Sequence, residues 1–153
     1  MVLDQQTELS KTEIDALLGR HETGVLSLAR ENEPYAIPVS YGFDAEEGRF
    51  YLRLVSTAES EKRRFLSSSP QARLVVYDET GNRYRSVVAA GTLEEVSRDE
   101  LTVEHIEQYG NAKRPLFEIW GDAKPDLDVR LYRLEPDSLS GYLIEVDREL
   151  DSS

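Results

Sequence analysis

Short β-forming runs separated by turn residues are the feature that most limits what this chain can fold into. The runs are rich in β-branched and aromatic side chains, and most neighbouring runs are only a few residues apart. Between the runs at residues 73–77 and 84–96, Thr80-Gly81-Asn82 has the small, turn-forming residues of a tight reversal. The pattern predicts antiparallel strands joined as a meander over residues 24–30, 35–43, 49–55, 73–77 and 84–96.

Helical patterns and two closing strands complete the predicted order of elements. Two capping-box patterns and one partial apolar stripe indicate helices over residues 10–19, 56–69 and 97–109. Beyond them, the turn-forming pair Pro136-Asp137 separates two further β-rich runs. We expect these runs to form two strands over residues 129–134 and 139–146.

An antiparallel sheet of this size has to hide its edges from other chains. Closure into a small barrel is one solution, and a sandwich of two packed sheets has the same periodicity. We expect the barrel, interrupted by short helices. A chain of 153 residues is the size of one domain, so residues 1–153 are predicted to form a single, mainly β domain.

Composition excludes several classes of protein and site. The chain has no cysteine, so disulfides, thiolate catalysis and cysteine-bound metals are excluded. Its two histidines, His21 and His105, lie far apart without metal-ligand spacing, so no metal site is predicted. No Gly-rich phosphate loop or nucleophile elbow is present, so no catalytic residue is assigned.

No stretch approaches the ~20 apolar residues that cross a bilayer, and residues 1–10 lack the pattern of a secretory signal. We therefore expect a cytoplasmic protein without a membrane segment.

The charge of the chain is strongly acidic. Thirty acidic and 18 basic residues give a net charge of −12, which repels a phosphate backbone and argues against a nucleic-acid partner. Lysine is scarce, since 14 of the basic residues are arginine and four are lysine. A surface rich in carboxylates and poor in lysine stays hydrated in strong salt, which favours a halophilic protein. An acidic mesophilic protein is the alternative.

Basic and hydroxyl side chains are concentrated where the third predicted strand leads into the second predicted helix. Residues 53–64 include Arg53 and Lys62 together with two serines and a threonine. The free N–H groups of a helix start, the hydroxyls and the ammonium of Lys62 together suit a phosphate. The alternative is a solvated helix start whose bases pair with Glu59 and Glu61.

The phase of the third predicted strand supports an anion site. Alternate residues of a strand point to opposite faces. Phe50, Leu52 and Leu54 therefore share one face, and Tyr51 and Arg53 share the other. Arg53 is expected to project from the face opposite the apolar one.

Several motifs follow one another in a consistent order between about residues 10 and 100. They are Gly24-Val25-Leu26-Ser27-Leu28, Pro34-Tyr35-Ala36-Ile37-Pro38-Val39-Ser40-Tyr41, Gly48-Arg49-Phe50-Tyr51-Leu52, Glu61-Lys62 with Phe65-Leu66 and Pro70, and Ser86-Val87-Val88-Ala89-Ala90-Gly91. Each motif is degenerate, but their order and spacing together resemble the FMN-binding split-barrel family related to pyridoxamine 5′-phosphate oxidase. The resemblance implies a homodimer of six- or seven-stranded split barrels, with two FMN molecules in grooves at the dimer interface.

The resemblance also implies which residues contact FMN. The second predicted strand would run its backbone past the isoalloxazine ring, and because Pro38 has no N–H, the donors would be Val39, Ser40 and Tyr41. The third strand would contribute a contact, Lys62 would bind the phosphate, and Ser86 would reach the flavin from a later strand. The complete predicted set is Pro38, Val39, Ser40, Tyr41, Tyr51, Leu52, Arg53, Lys62, Ser86 and Val87.

Two departures from the family pattern bear on the expected activity. Glu61 stands where the oxidase commonly has a second basic residue, so Arg53 or Arg63 would have to replace that charge. Residues 114–143 lack the tryptophan-and-arginine ending with which the oxidase grips pyridoxal phosphate, and Trp120 is alone in its neighbourhood. Oxidation of vitamin B6 is therefore not expected.

Three classes of function remain open at this point. The first is an FMN-dependent oxidoreductase, in which the flavin performs the redox chemistry and no dedicated acid or base is required. The second is a carrier or sensor that binds flavin, deazaflavin or haem without turnover, with His21 or His105 as the axial ligand of a haem. The third is an acidic β-barrel interaction module without a cofactor.

Overall fold

The structure is a computed structural model that describes residues 3–56, 65–66, 70–97 and 128–146. These residues form seven strands and one helix, with a further helical pair at Phe65 and Leu66. The elements in chain order are β1 (Leu3–Glu8), α1 (Lys11–Arg20), β2 (Thr23–Arg30), β3 (Glu33–Asp44), β4 (Arg49–Ser56), β5 (Gln71–Thr80), β6 (Arg83–Val96) and β7 (Asp128–Val146). Most of the second predicted helix and nearly all of the third lie outside the described residues.

The strands form one antiparallel sheet that closes on itself. Their order is β1-β7-β4-β3-β2-β5-β6, and β6 also pairs with β7. This last pairing joins the two ends of the sheet, so β2 to β7 make a six-stranded barrel and β1 adds to the far part of β7. The predicted antiparallel barrel is confirmed, and closure leaves few strand edges exposed.

Two tight turns set the register of the hairpins. Glu31 and Asn32 both adopt positive φ, at 50° and 68°, which is the geometry of a two-residue turn that matches the twist of its strands. Gly81 adopts a φ of 62° in the turn between β5 and β6, where Thr80 pairs with Arg83. The reversal predicted at Thr80-Gly81-Asn82 is therefore confirmed.

The inward faces of the strands and one side of α1 make the core. Phe50, Leu52 and Leu54 point inward and are at most 2% exposed, as the alternation in β4 predicted. Helix α1 packs against the core and buries Ile14, Leu17 and Leu18. Its start is held by a capping box in which the Ser10 hydroxyl accepts from the Glu13 N–H and the Glu13 carboxylate accepts from the Ser10 N–H.

The last strand corrects the sequence prediction. One continuous strand, β7, replaces the two strands expected around Pro136-Asp137. The register passes over Asp137, because Gly91 pairs with Pro136 and Ala90 pairs with Ser138, so the turn-forming pair makes a bulge within a strand. A Cβ atom at Gly91 would lie 2.2 Å from the Glu135 carbonyl oxygen, so the close approach of β6 and β7 depends on this glycine.

Strand β1 was not predicted. Its sequence, Leu3-Asp4-Gln5-Gln6-Thr7-Glu8, is polar and lacks the alternation that indicates a strand. It forms because β7 extends beyond β4 and offers a free edge, with which β1 pairs from Leu3 to Glu8.

Candidate functional site

An opening between β3 and β4 interrupts the barrel wall. The ladder between these strands runs from Asp44↔Arg49 to Tyr41↔Leu52 and ends there. Beyond that pair, residues 33–40 of β3 pair with β2, while β4 from Arg53 onward pairs with β7. The two strands therefore separate, and we call the space between residues 33–40 and 53–56 the split.

Hydrogen bonding to β2 determines which N–H groups of β3 face the split. The Tyr41 N–H donates to the Glu22 carbonyl oxygen at 2.9 Å, on the side of β2. Because backbone N–H groups of an antiparallel strand alternate between its two sides, the N–H of Val39 also faces β2 and that of Ser40 faces the split. Of the three donors predicted from the sequence, Ser40 alone is directed into the split.

By the same alternation, both prolines of β3 lie at positions whose main-chain nitrogen faces the split. Pro34 and Pro38 occupy positions on the split side, where their missing N–H groups leave no partner unsatisfied. Ala36 and Ser40 are consequently the two residues of this edge, from residue 33 to residue 40, that can donate a main-chain hydrogen bond into the split. The carbonyl oxygens of the same edge remain as acceptors.

Ser40 and Arg53 stand across the split from each other. One step beyond Tyr41↔Leu52, a continued ladder would pair these two residues. Ser40 is buried, with 6% of its surface exposed, and Arg53 is half-buried. Within the described ranges Arg53 has no ion pair or hydrogen-bond partner. A half-buried guanidinium with no counter-charge among the described residues is a place where an anion would be favoured.

Comparison with protein-family models matches residues 10–143 to the family described as pyridoxamine 5′-phosphate oxidase. The chain belongs to this family. A comparison with curated proteins found no match. The family assignment confirms the resemblance found in the sequence motifs.

Solved structures share the fold of this family member. A FAD-binding protein from Mesorhizobium loti superposes with a TM-score of 0.70 at 21% identity, covering 93% of this chain and 98% of its own. A FAD-binding protein from Mycobacterium smegmatis has a TM-score of 0.63 at 21% identity, covering 92% of this chain and 100% of its own. A heme-binding protein from Mycobacterium smegmatis has a TM-score of 0.59 at 17% identity, covering 87% of this chain and 54% of its own. At these identities the likeness establishes the flavin-binding split-barrel type of fold.

The predicted site residues fall on two faces of the barrel wall. Val39, Tyr41, Leu52 and Val87 point into the core, with at most 2% of each residue exposed, so they can offer only main-chain atoms to a ligand. The Tyr41 hydroxyl donates to the Leu18 carbonyl oxygen at 2.7 Å, and burial raises the pKa of this tyrosine. The outward residues are Pro38, Ser40, Tyr51, Arg53 and Ser86.

Tyr51 is an outward residue that is nonetheless buried. It is 1% exposed, and it lies between Gly42 on β3 and Arg133 on β7. Burial raises the pKa of its hydroxyl. Arg133 was not predicted as a site residue. Its Nη2 atom donates a hydrogen bond to Glu94 Oε2 at 3.2 Å. Its buried Nε atom has no partner in the part of the chain that the structure describes. Strand alternation from Leu134, a core residue, would have placed Arg133 outward beside Tyr51.

Ser86 does not lie beside Ser40 in the same chain. It points outward from β6 and pairs with Tyr77 of β5 and Tyr142 of β7. Strands β2 and β5 stand between β3 and β6, so three strand spacings, about 14 Å, separate the two serines across the sheet. The single chain therefore brings Ser40, Tyr51 and Arg53 together and leaves Ser86 apart.

Lys62, Glu61 and Arg63 lie outside the described residues, so their roles stay predictions. Phe65, which follows them, is fully buried and stacks on Tyr35 of β3 with ring centroids 5.1 Å apart. The chain that leaves β4 thus returns to β3 close to the split. Among the described residues, no three His, Asp or Glu side chains are grouped to hold a metal, and no helix is long and apolar enough to span a membrane.

Proposed function

We propose that this protein binds FMN in the split between β3 and β4 and acts as an FMN-dependent oxidoreductase on a small substrate. The observation that carries the proposal is Arg53. In a chain with a net charge of −12, a half-buried cation without a described partner stands where the pairing of β3 with β4 ends. A phosphate group would supply the missing counter-charge.

The main chain of β3 suits the polar edge of a flavin ring. Ser40 and Ala36 would donate main-chain hydrogen bonds to acceptor atoms of the ring, and the carbonyl oxygens of the same edge would accept hydrogen bonds from its N–H group. Pro38 would leave part of this edge without a donor and present an apolar surface to the ring. Bound there, FMN would supply hydride or electron transfer, and these residues would bind and orient it.

We further propose that the site is completed by a second copy of the chain. Ser86 was predicted to contact the flavin, but in one chain it lies about 14 Å across the sheet from Ser40. A homodimer that places the Ser86 of one protomer over the split of its partner would bring both serines to one ligand. The ring would then be enclosed on two sides, and shape and stacking would select the substrate.

A carrier or sensor without turnover is the second candidate. The structural similarity to a heme-binding protein makes haem one of its ligands to test. The geometry of His21 argues against haem there, because its Nε2 atom already lies 3.0 Å from the Asp78 carboxylate. His105, the other possible axial ligand, lies outside the described residues. Flavin or deazaflavin is therefore the better ligand for a carrier.

Fluorescence titration of the full chain with FMN and with riboflavin tests the proposed site. Riboflavin lacks the phosphate, so the native protein should prefer FMN. Arg53→Gln should weaken FMN binding roughly tenfold and leave riboflavin binding nearly unchanged, since it removes a charged hydrogen bond. Arg73→Gln, which removes an exposed arginine from β5, is the matched control. Equal FMN affinity in the native and Arg53→Gln proteins would overturn the proposed phosphate contact.

A redox assay separates the oxidoreductase from the carrier. The FMN-loaded protein should lose its flavin absorbance with NADH or NADPH under anaerobic conditions and regain it when an electron acceptor is added. A protein that binds FMN tightly but is reduced by neither nucleotide would favour the carrier.

A further inference from the structure

A second polar cluster lies where helix α1 meets the β5–β6 hairpin, and β2 separates it from the split. Its centre is Asp78, whose side chain is 14% exposed. The Oδ2 atom of Asp78 accepts from Arg20 Nη2 at 2.8 Å and lies 3.0 Å from His21 Nε2. Its Oδ1 atom is buried without a hydrogen-bond partner in the described ranges, and Arg85 Nη1 stands 3.9 Å away.

This cluster borders a cleft of about 350 Å³. One wall is the outer side of α1, and the other is the end of the β5–β6 hairpin. The lining residues are Glu13, Ala16, Arg20, Asp78, Thr80 and Arg85. None of them belongs to the predicted flavin site, so the cleft needs an explanation of its own.

The cleft contains an acceptor without a hydrogen-bond donor, which is Asp78 Oδ1, and a second carboxylate, Glu13, that accepts from the Ser10 N–H. Its guanidiniums are the donors. Burial opposes the ionisation of Asp78, but the hydrogen bonds from His21 and Arg20 outweigh it and lower the pKa. The carboxylate is therefore ionised at neutral pH and can only accept. Arg85 Nη1 is close enough to Oδ1 for an ion pair but too far to donate a hydrogen bond, and no hydrogen bond from Arg85 is found among the described residues.

We propose that this cleft binds a phosphate group that carries a proton. Such a group would accept hydrogen bonds from the guanidiniums of Arg85 and Arg20 and from the Thr80 hydroxyl, and its P–OH would donate to Asp78 Oδ1. Arg85 is a long side chain at the edge of the cleft, 25% exposed, and can turn toward the ligand as it uncovers Oδ1. The phosphate belongs either to inorganic phosphate or to a phosphate monoester, for which the volume of the cleft leaves room.

The proton of the ligand would make the cleft selective for phosphate over sulfate. Sulfate has the same shape and charge as hydrogen phosphate, but it has no proton at neutral pH. Its oxygen would face the carboxylate oxygen of Asp78 without a hydrogen atom between them, which is repulsive. The cleft should therefore discriminate phosphate from sulfate, whereas a general basic patch would bind both alike.

Calorimetric titration of the FMN-saturated protein with inorganic phosphate and with sulfate at pH 7 tests the proposal. Phosphate should bind saturably and roughly tenfold more tightly than sulfate, as expected for one hydrogen bond to a charged group. The same titration on the Arg53→Gln protein should give the same result, because that variant lacks the other proposed phosphate contact. Both titrations are repeated without FMN, so the test does not depend on whether the proposed flavin site is right.

Variants of the cleft identify the groups responsible. In Asp78→Asn the new amide N–H₂ can donate, so sulfate should bind at least as well as phosphate. Arg85→Gln should weaken phosphate binding roughly tenfold. This variant keeps the contacts of Asp78 to Arg20 and His21, so it tests the site even if Asp78→Asn is poorly folded. Arg73→Gln on the outer side of β5 is the control and should bind phosphate like the native protein.

Three results would overturn the proposal. They are the absence of saturable phosphate binding in the native protein, equal binding of phosphate and sulfate, and a phosphate preference that survives in Asp78→Asn. Titration with glycerol phosphate at pH 6, where part of the monoester keeps its proton, distinguishes the two sources. Tighter binding than that of inorganic phosphate would identify a monoester as the ligand.

Discussion

The Tyr41 hydroxyl ties β3 to the end of helix α1. It donates to the Leu18 carbonyl oxygen at 2.7 Å inside the core. Tyr41→Phe should lower the free energy of unfolding by about 1 kcal/mol, because one buried hydrogen bond is lost while the ring is kept. Urea denaturation measures the change, and Tyr77→Phe, at a residue 67% exposed, is the control. A loss of similar size in Tyr77→Phe would show that the buried contact is not the cause.

The same hydroxyl makes stability depend on alkaline pH. Burial raises the pKa of Tyr41 above its ordinary value of 10.0, so the folded state keeps the proton that the unfolded chain loses. The contribution is complete below that value and declines as the pH rises past it. The native protein should therefore lose more stability above pH 10.0 than Tyr41→Phe does.

For single residues, the sequence predicts the direction of a side chain better than the direction of a main-chain N–H group. Alternation in β4 was enough to place Arg53 on the face opposite Phe50 and Leu52. Which N–H groups of β3 face the split depends instead on how β3 pairs with β2. That pairing is a long-range property, so the sequence alone did not distinguish Ser40 from Val39 and Tyr41.

Helix α1 is held to β5 by the contacts of Asp78. Because the pKa of this carboxyl is lowered in the fold, its contribution is present above the ordinary value of 3.8 and is lost as the pH falls below it. Asp78→Asn should reduce the free energy of unfolding at pH 7 by about 1–3 kcal/mol. In denaturation series at decreasing pH, the difference between native and variant should shrink. A difference that stays constant into strong acid would exclude an ionic origin.

The approach of β6 to β7 at Gly91 is the second feature to test between elements. Gly91→Ala should lower the free energy of unfolding by about 1–3 kcal/mol, because its Cβ atom would overlap the Glu135 carbonyl oxygen and force the strands apart. Gly19→Ala is the matched control, since nothing lies within 4 Å of a Cβ atom there and alanine favours a helix. Thermal unfolding followed by circular dichroism compares the two, and a stable Gly91→Ala would contradict the tight bulge.

Elements with a strong local signal were predicted, and those that depend on distant partners were not. The capping box of α1 and the turn at Gly81 are local, and both are confirmed. Strand β1 has a polar sequence and forms because β7 offers an edge. Pro136-Asp137 has the residues of a turn, but the hydrogen bonds of β6 keep it within one strand.

At the scale of the whole molecule, the proposed homodimer can be tested by complementation. Arg53→Gln should impair the split of its own chain, and Ser86→Tyr should obstruct the split of its partner. If each site takes one residue from each chain, a mixed dimer has one native site. Equal mixing should then restore about a quarter of the native FMN capacity, because half of the dimers are mixed and each has one native site of two.

Ultracentrifugation and FMN titration of the unmixed and mixed variants complete this experiment. Unmixed samples that bind FMN poorly and a mixture that binds no better would refute a shared site. The halophilic character and the cytoplasmic location remain predictions from composition.

Strand β7 is hydrogen-bonded to β1, β4 and β6, and it follows all three of them in the sequence. During synthesis on the ribosome, β4 and β6 each have one unpaired edge until residues 128–146 emerge. Until then, the unpaired edges of β4 and β6 are open to wrong partners. This topology places closure of the barrel after the other described strands have been made, so a chain that stops short of β7 leaves both edges open to aggregation.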